Sequence, residues 1–415
     1  MGKSKKTLKK RNLHPVIAVL GVCMLLVIIY VLFNNFESRG FQSNLENFYN
    51  TTDIPAEGPL GEIIRKESVT TKLQNGSADR IIYRTQKKNG EITFSSGMIY
   101  IPSKPAISPR PIMAWAHGTI GMGDSCAPSR QKVPNVNNGI TWVDSMLEKG
   151  WVVTATDYAG LGTEGVEAYL VGQAEANDVL NSVRAAKNFS GSDAGNNYAI
   201  WGHSQGGHSA LFSASRAKSY LGDFNLVGTV ASAPAAELPS LFSQQENTAV
   251  AWIIGPEAAL SWPNNYSGID LSSVLTKQGI NNYKAIAEKC INQAAIDGLI
   301  RQRLGQKFFN EDVSTNAVWQ GILNEQTAPT LSSNQPLLVA ESLTDNVVLP
   351  NTTAKYIQRS CQAGSNLTQL WLTDVGHIQL SNVISPSVVN WLDDRFNSRP
   401  NVSNCNQSLP IAPAQ

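Results

Sequence analysis

The pentapeptide Gly202-His203-Ser204-Gln205-Gly206 carries the residue types from which a nucleophile can be built, because it matches the spacing G-x-S-x-G. Tyr198 to Trp201 before it reads as a short apolar strand, and Gly207 to Lys218 after it is small and helix-compatible. Ser204 therefore falls on a strand-to-helix turn. A turn this tight needs flanking positions without side chains, so that the serine is pushed above the sheet edge while the helix packs close beneath it. The same placement sets the hydroxyl near a helix N-terminus, where the positive end of the dipole favours a developing anion.

A serine hydroxyl is a weak nucleophile at neutral pH. It needs an imidazole to take its proton and a carboxylate to hold that imidazole in the right tautomer. The chain has five histidines. His14 adjoins an apolar N-terminal stretch, His117 and His208 fall in the loop after a strand and in the helix after the serine, and His203 is held by the turn itself. His377 is left, in Asp374-Val375-Gly376-His377, just past the strand Leu370 to Leu372, where the catalytic loops of open α/β sheets collect. Asp345 is the expected acid, past the strand Leu337 to Glu341 and in the chain order Ser, Asp, His. Asp374 and Glu341 are its rivals. An oxyanion needs two donors: the amide after the nucleophile, that of Gln205, supplies one, and the glycine-rich loop from His117 to Cys126 supplies the other, with Thr119 and Asp124 both candidates. No C-x-x-C or H-E-x-x-H spacing occurs, so no metal ligands are called and the chemistry requires no cofactor.

Positioning these residues calls for an α/β sheet. Arg80 to Arg84 and Ile92 to Ile101 read as an antiparallel pair joined through Asn89-Gly90. Continuous apolar runs follow at Ile112 to Ala116, Trp151 to Thr156, Tyr198 to Trp201, Val227 to Ser232, Leu337 to Glu341 and Leu370 to Leu372, the pattern of buried parallel strands. Helical stretches fall between most of them: Thr141 to Lys149, Gly172 to Asn188, Gly206 to Tyr220 and Asn351 to Gln362, with Ser387 to Phe396 last. The expectation is a doubly wound, mostly parallel sheet over 60–234 and 336–400. The hundred or so residues at 235–335 show helical periodicity without a buried strand and are expected to form an inserted helical cap. Its Trp252, Trp262, Tyr266 and Trp319 suit either an acyl pocket or the cap's own core.

Net charge is +1, from 33 basic and 32 acidic residues, but six of the basic ones lie within the first eleven positions. The rest carries 27 against 32, a net of −5, and offers no nucleic-acid surface. After the basic tail, 1–12, comes an uncharged apolar run from Val16 to Phe33. Its length spans roughly 27 Å of hydrocarbon as a helix. With basic residues on its N-terminal side, 13–33 is expected to be a signal anchor, with the N-terminus cytoplasmic and the remainder outside; secretion after signal cleavage is the alternative. Polar, turn-rich 34–59 then reads as a stalk. Export agrees with four cysteines beyond Cys23, namely Cys126, Cys290, Cys361 and Cys405, for which three pairings are open. Asn50-Thr51-Thr52 and Asn351-Thr352-Thr353 are glycosylation motifs only in a eukaryotic secretory pathway.

Taken together, His117-Gly118-Thr119, Gly123-Asp124-Ser125-Cys126-Ala127-Pro128-Ser129, Ala155-Thr156-Asp157-Tyr158 with Gly160-Leu161-Gly162, Trp201 to Gly207, and the late Asp345 and His377 resemble the secretory lipases of fungi and their bacterial relatives, within the α/β-hydrolase superfamily. The likeness covers about Leu60 to Phe396, and its most specific element is the D-x-C-A-P-S stretch. It implies a triad of Ser204, Asp345 and His377, oxyanion amides at Asp124 and Gln205, disulfides Cys126–Cys290 and Cys361–Cys405, and a helical lid. Asp157-Tyr158 reads as a structural turn. The apolar N-terminal segment departs from a freely secreted enzyme. The expected activity is hydrolysis of carboxylic esters, with a small-molecule or lipid substrate; a peptidase or acyltransferase on the same scaffold, or a non-catalytic adhesion ectodomain, are the alternatives.

Overall fold

The computed structural model describes residues 40–55, 57–133 and 140–415. The expected basic tail and anchor, 1–33, lie outside the described residues. Among the described residues no helix is long and apolar enough to cross a membrane. Two compact units divide at Phe48 and Tyr49. In the first, a helix over 40–49 (α1) stands where a turn-rich stalk was expected, and Phe41, Leu45 and Phe48 share the spacing of one helical face.

The second unit is built on one nine-stranded sheet in the order β1-β2-β3-β5-β4-β6-β7-β8-β9. The strands are β1 (Ile63–Val69), β2 (Gly76–Gln86), β3 (Ile92–Pro102), β4 (Arg110–Ala116), β5 (Val152–Thr156), β6 (Ala194–His203), β7 (Asn225–Ser232), β8 (Leu337–Ser342) and β9 (Leu367–Leu372). β1, β2 and β3 pair antiparallel, β3 joins β5 antiparallel, and from β5 onward every pair is parallel. All six parallel strands and the hairpin fall where the apolar runs lie. β1 does not announce itself in the sequence: Arg65, Lys66 and Glu67 mask its alternation, as charges on an edge strand often do.

Period-two alternation divides the core into two layers. Met113 and Trp115 of β4 and Ala199 and Trp201 of β6 face one side, with Val143 and Met146 of α2 (Ile140–Glu148) and Ile384, Val388 and Leu392 of α11 (Leu380–Phe396). Ile112 and Ala114 of β4 and Tyr198 and Ile200 of β6 face the other, with Val179 and Val183 of α3 (Gly172–Asn188) and Ala210 and Ala217 of α4 (Gln205–Leu221). On that second side α10 (Pro350–Gln362) covers β8 through Tyr356 and Ile357. α11 begins seven residues earlier than expected and runs through Pro386. Proline removes the amide that would bond the Asn382 carbonyl, and the Ser385 hydroxyl donates to that carbonyl instead, at 2.8 Å.

Between β7 and β8 lie α5 (Leu238–Gln245), α6 (Ala251–Ser261), α7 (Lys277–Ala287), α8 (Ile291–Arg303) and α9 (Ala317–Glu325), with one isolated bridge, Leu275 to Phe309, in place of strands. Both expected disulfides are formed: Cys126–Cys290 ties the loop after β4 to the start of α8, and Cys361–Cys405 ties the end of α10 to the C-terminal tail.

At the centre of the first layer, the Trp201 ring meets Trp115 edge-on at 5.1 Å and Trp142 at 4.8 Å. Trp201→Ala would empty a fully buried site directly below the turn between β6 and α4. Urea unfolding is expected to show a loss of about 3–5 kcal/mol, as for other buried tryptophans cut to alanine.

Candidate active site

Ser204 ends β6 and caps α4 with φ 59° and ψ −121°, a conformation that L-residues avoid. Both glycines of the pentapeptide are required by close approach. A Cβ at Gly202 would stand 1.8 Å from the Gly206 carbonyl oxygen, and one at Gly206 would stand 1.9 Å from that of Ala116. The turn is held from three sides: the Ser204 amide donates to the Ser232 carbonyl at 2.9 Å, and the amides of Ala235 and His208 donate to the Ser204 carbonyl, each at 3.2 Å.

His377 and Asp345 converge on this point from 173 and 141 residues away in sequence. His377 Nε2 lies 2.9 Å from Ser204 Oγ, and His377 Nδ1 lies 2.6 Å from Asp345 Oδ2. The other carboxylate oxygen of Asp345, Oδ1, accepts from the amides of Val347 at 2.8 Å and Val348 at 3.1 Å, so the turn after β8 holds the acid independently of the imidazole. Asp345 is buried, whereas the rival Asp374 is solvent-exposed. Glu341, the other rival, is fully buried with its oxygens taken by the Ser342 amide and the Thr353 hydroxyl. Burial, and then the charge of Asp345, push its carboxyl well above the usual range.

The His203 ring lies beside that of His377, tilted by 41° with centroids 4.7 Å apart. Burial and the neighbouring imidazole both hold it well below the ordinary histidine range. His117 has its ring nitrogens on the carbonyls of Gly118 and Asp157, and His208 has its own on Glu175 and the Gln326 carbonyl. Both are scaffold.

The candidates for the oxyanion donors separate. Gln205 opens α4, where the first amides have no partner inside the helix. Gly118 passes so close that a Cβ on it would meet Ser204 Cβ at 3.1 Å, and Thr119 follows it directly, with its hydroxyl 3.0 Å from that of Tyr169. Asp124 stands farther along the loop, exposed, with its carboxylate accepting from the Gly162 amide at 3.2 Å. The D-x-C-A-P-S stretch is explained by Asp157, read from sequence as a turn residue: fully buried, it accepts from Ser96 Oγ at 2.6 Å and from both the amide and the hydroxyl of Ser129. The loop is fastened on its other side to the cap, through Met122 N to Ala287 O at 2.7 Å, Ile291 N to Ile120 O at 2.8 Å and the Cys126–Cys290 disulfide.

One set of residues beneath the site escapes sequence reading. Gln205 Nε2 donates to Glu167 at 2.8 Å and to Glu175 at 2.9 Å, and Glu175 also accepts from Ser209 Oγ and the Leu170 amide and meets His208 Nδ1 at 3.1 Å. All are buried. No motif marks them, because each is an ordinary polar residue of a helix or loop whose partners are distant in sequence. Burial pushes the Glu167 carboxyl up to about 8 and that of Asp178 up to about 7.

The four aromatics between β7 and β8 are largely core. Trp252 donates to the Gln306 carbonyl, Trp262 to that of Tyr169, and Trp319 packs on Trp262 at 4.8 Å; Tyr266 is half-buried against Gln326. A cavity of about 550 Å³ lies at a different place, between the β2–β3 hairpin and the loop after β5, and none of Ser204, Asp345 or His377 lines it. Among the described residues no cluster of three His, Cys, Asp or Glu side chains could hold a metal ion.

The sheet order, the strained serine at the end of β6 and the late acid and histidine define an α/β-hydrolase. A family model described as "Secretory lipase" matches residues 128–404, and the chain belongs to that family, a class of carboxylic ester hydrolases. It is 23% identical over 353 residues to Lipase A of Moesziomyces aphidis, covering 77% of this chain and 73% of that protein. It is also 21% identical over 360 residues to a probable inactive lipase of Mycobacterium tuberculosis, covering 82% and 79%. In fold it is similar to Candida antarctica lipase A in its closed state, with a TM-score of 0.71 at 19% identity over 88% of this chain and 89% of that one.

Gly206→Ala should abolish turnover, since backbone stands where its methyl would go, while Gly321→Ala, in α9 with open space around it, should raise stability by about 0.5–1 kcal/mol. The protonated Glu167 binds a proton in the folded chain that the unfolded chain, with a glutamate pKa of about 4.3, has already lost. Its contribution is complete below that value and falls as pH rises through about 8; Glu167→Gln should flatten this decline in a series of urea midpoints against pH.

Proposed function

We propose that the chain hydrolyses carboxylic esters through an acyl-serine intermediate, with Ser204 as nucleophile, His377 as general base and then general acid, and Asp345 as the group that orients His377. The observation that carries the reading is the unbroken relay from Asp345 Oδ2 through His377 to Ser204 Oγ, at 2.6 and 2.9 Å. Ser204 Oγ attacks the ester carbonyl as its proton passes to Nε2. The resulting imidazolium is stabilised by the Asp345 carboxylate and returns the proton to the departing alcohol. Water then repeats the sequence on the acyl-serine, releasing the acid.

The tetrahedral oxyanion is held by the Gln205 amide, with the α4 dipole behind it, and by the Thr119 amide, whose preceding glycine lies against Ser204. The clamp of Glu167 and Glu175 on the Gln205 side chain keeps the first donor aimed. In this reading residues 235–335 act as a cap over the core at 60–234 and 336–400, and the acyl part of the substrate is apolar. The basic tail and the apolar run Val16 to Phe33 anchor the chain in a membrane with the catalytic domain outside the cytoplasm.

Ser204→Ala should lower kcat on a nitrophenyl ester roughly ten-thousandfold or more without changing the unfolding free energy measured in urea by more than about 1 kcal/mol. Undiminished turnover in that variant would overturn the assignment. Parallel assays of an ester, the matching anilide and transfer to an alcohol should favour ester hydrolysis; a faster anilide or transfer reaction would replace it with peptidase or acyltransferase chemistry.

A further inference from the structure

Along α6, Ala251–Ser261, only Glu257 and Ser261 carry side-chain oxygens, and at a spacing of four they share one face of an otherwise apolar helix. Both are closed off from solvent, exposed by 2 and 0%. Among the described residues the Ser261 hydroxyl has no hydrogen-bond partner, and the Glu257 carboxyl makes no hydrogen bond either. The other buried acids nearby are all partnered. Glu167 accepts from Gln205, Glu175 from Gln205 and Ser209, and Asp178 from Thr85 and the Ala159 amide. A buried carboxyl without a partner costs stability that an apolar residue at the same position would not, so its presence calls for a use.

Its place in the fold suggests one. Trp262, directly after α6, donates from its ring to the Tyr169 carbonyl at 3.0 Å. The Tyr169 hydroxyl lies 3.0 Å from that of Thr119, whose preceding Gly118 lies against Ser204. Burial, and then the charge of Glu257, push the Tyr169 hydroxyl well above its usual range, and burial, and then Glu167, do the same for the Glu257 carboxyl. Glu257 is thus a near neighbour of Tyr169, beside the loop after β4, and of Glu167, in the clamp on Gln205.

A carboxyl held neutral offers an O–H donor and a carbonyl acceptor together, and one aliphatic hydroxyl satisfies both kinds of group. An amine would need the ionised form, which burial opposes. The departing alcohol takes its proton from His377, which is reached from Asp345 and His203, whereas Glu257 stands with Thr119 and Glu167. The part of an ester that comes to Glu257 is therefore the acyl chain. We propose that Glu257, with Ser261 one turn further on, binds a hydroxyl on the acyl chain, so that esters of hydroxy-fatty acids are the preferred substrates. The inference rests on the serine-hydrolase reading for its reaction and adds a specificity site to it. A plain acyl chain would lay methylenes against the carboxyl and leave it unpaired, which is how a site built for a hydroxyl rejects the analogue lacking it.

The test compares methyl decanoate with methyl decanoates carrying one hydroxyl near the carbonyl, at mid-chain or at the chain end, by pH-stat titration with the full chain. For one of these positions the wild-type kcat/KM should exceed that for the unsubstituted ester by at least about tenfold, the worth of a hydrogen bond to a buried group. Glu257→Met, which keeps the length and removes both oxygens, should bring that ratio to one or below. Glu257→Gln, which still donates and accepts, should keep part of it. Glu257→Met should also raise the urea midpoint, because apolar atoms replace an unpaired polar group, whereas loss of a carboxyl that holds the fold together would lower it. Calorimetric binding of the same esters to Ser204→Ala should show the same preference. If it does while the wild type hydrolyses none of them, the serine assignment falls and the hydroxyl site stands. Equal kcat/KM or equal binding for all four esters, a preference untouched by Glu257→Met, or a lowered midpoint in that variant would overturn the proposal. So would a preference that follows a hydroxyl placed on the alcohol part instead.

Discussion

Everything chemical in this molecule depends on one backbone conformation, the positive φ of Ser204 between β6 and α4. A non-glycine residue in that region costs of order 1–3 kcal/mol and persists only where its surroundings over-determine it. Here they do. The Ser232 carbonyl takes its amide, the amides of Ala235 and His208 take its carbonyl, and the carbonyls of Gly206 and Ala116 occupy the space that any side chain at 202 or 206 would need. The strain lifts the hydroxyl clear of the sheet edge and sets it at the start of a seventeen-residue helix. A relaxed turn would leave the serine pointing along the strand.

That constraint propagates outward through polar groups with no access to water. Gln205 cannot rotate without breaking two bonds to buried carboxyls, and Glu175 cannot move without abandoning His208, Ser209 and Leu170. Unpaired polar groups at such depth cost several times what a paired one contributes, so the network tolerates few arrangements. On the other side, Glu341 stays neutral beside Asp345, and His203 stays neutral beside His377. Both groups are held neutral by burial first and by the neighbouring group second.

The sequence makes much of this legible, for identifiable reasons. Buried parallel strands read as continuous apolar runs, so β4 to β9 stand out, and the strand-turn-helix context singles out Ser204 among many serines. His377 emerges because there are few histidines, and Asp345 because chain order and strand position agree. What stays hidden depends on contacts between distant residues. β1 is an edge strand masked by charge, the early start of α11 rests on one serine hydroxyl beside Pro386, and Glu167 and Glu175 carry no local signature. The second oxyanion donor shows the same limit: the likeness to secretory lipases points to Asp124, while the approach of Gly118 to Ser204 points to Thr119, a choice that spacing alone does not make.

The most direct measurement of the central claim is covalent. A fluorophosphonate probe reacts only with a serine whose proton is being removed beside oxyanion donors, and peptide mapping identifies the residue that carries it. A single adduct at Ser204 is expected, formed by the wild-type chain and absent in His377→Ala. An adduct on another serine, or labelling of Ser204 that survives loss of the imidazole, would contradict it.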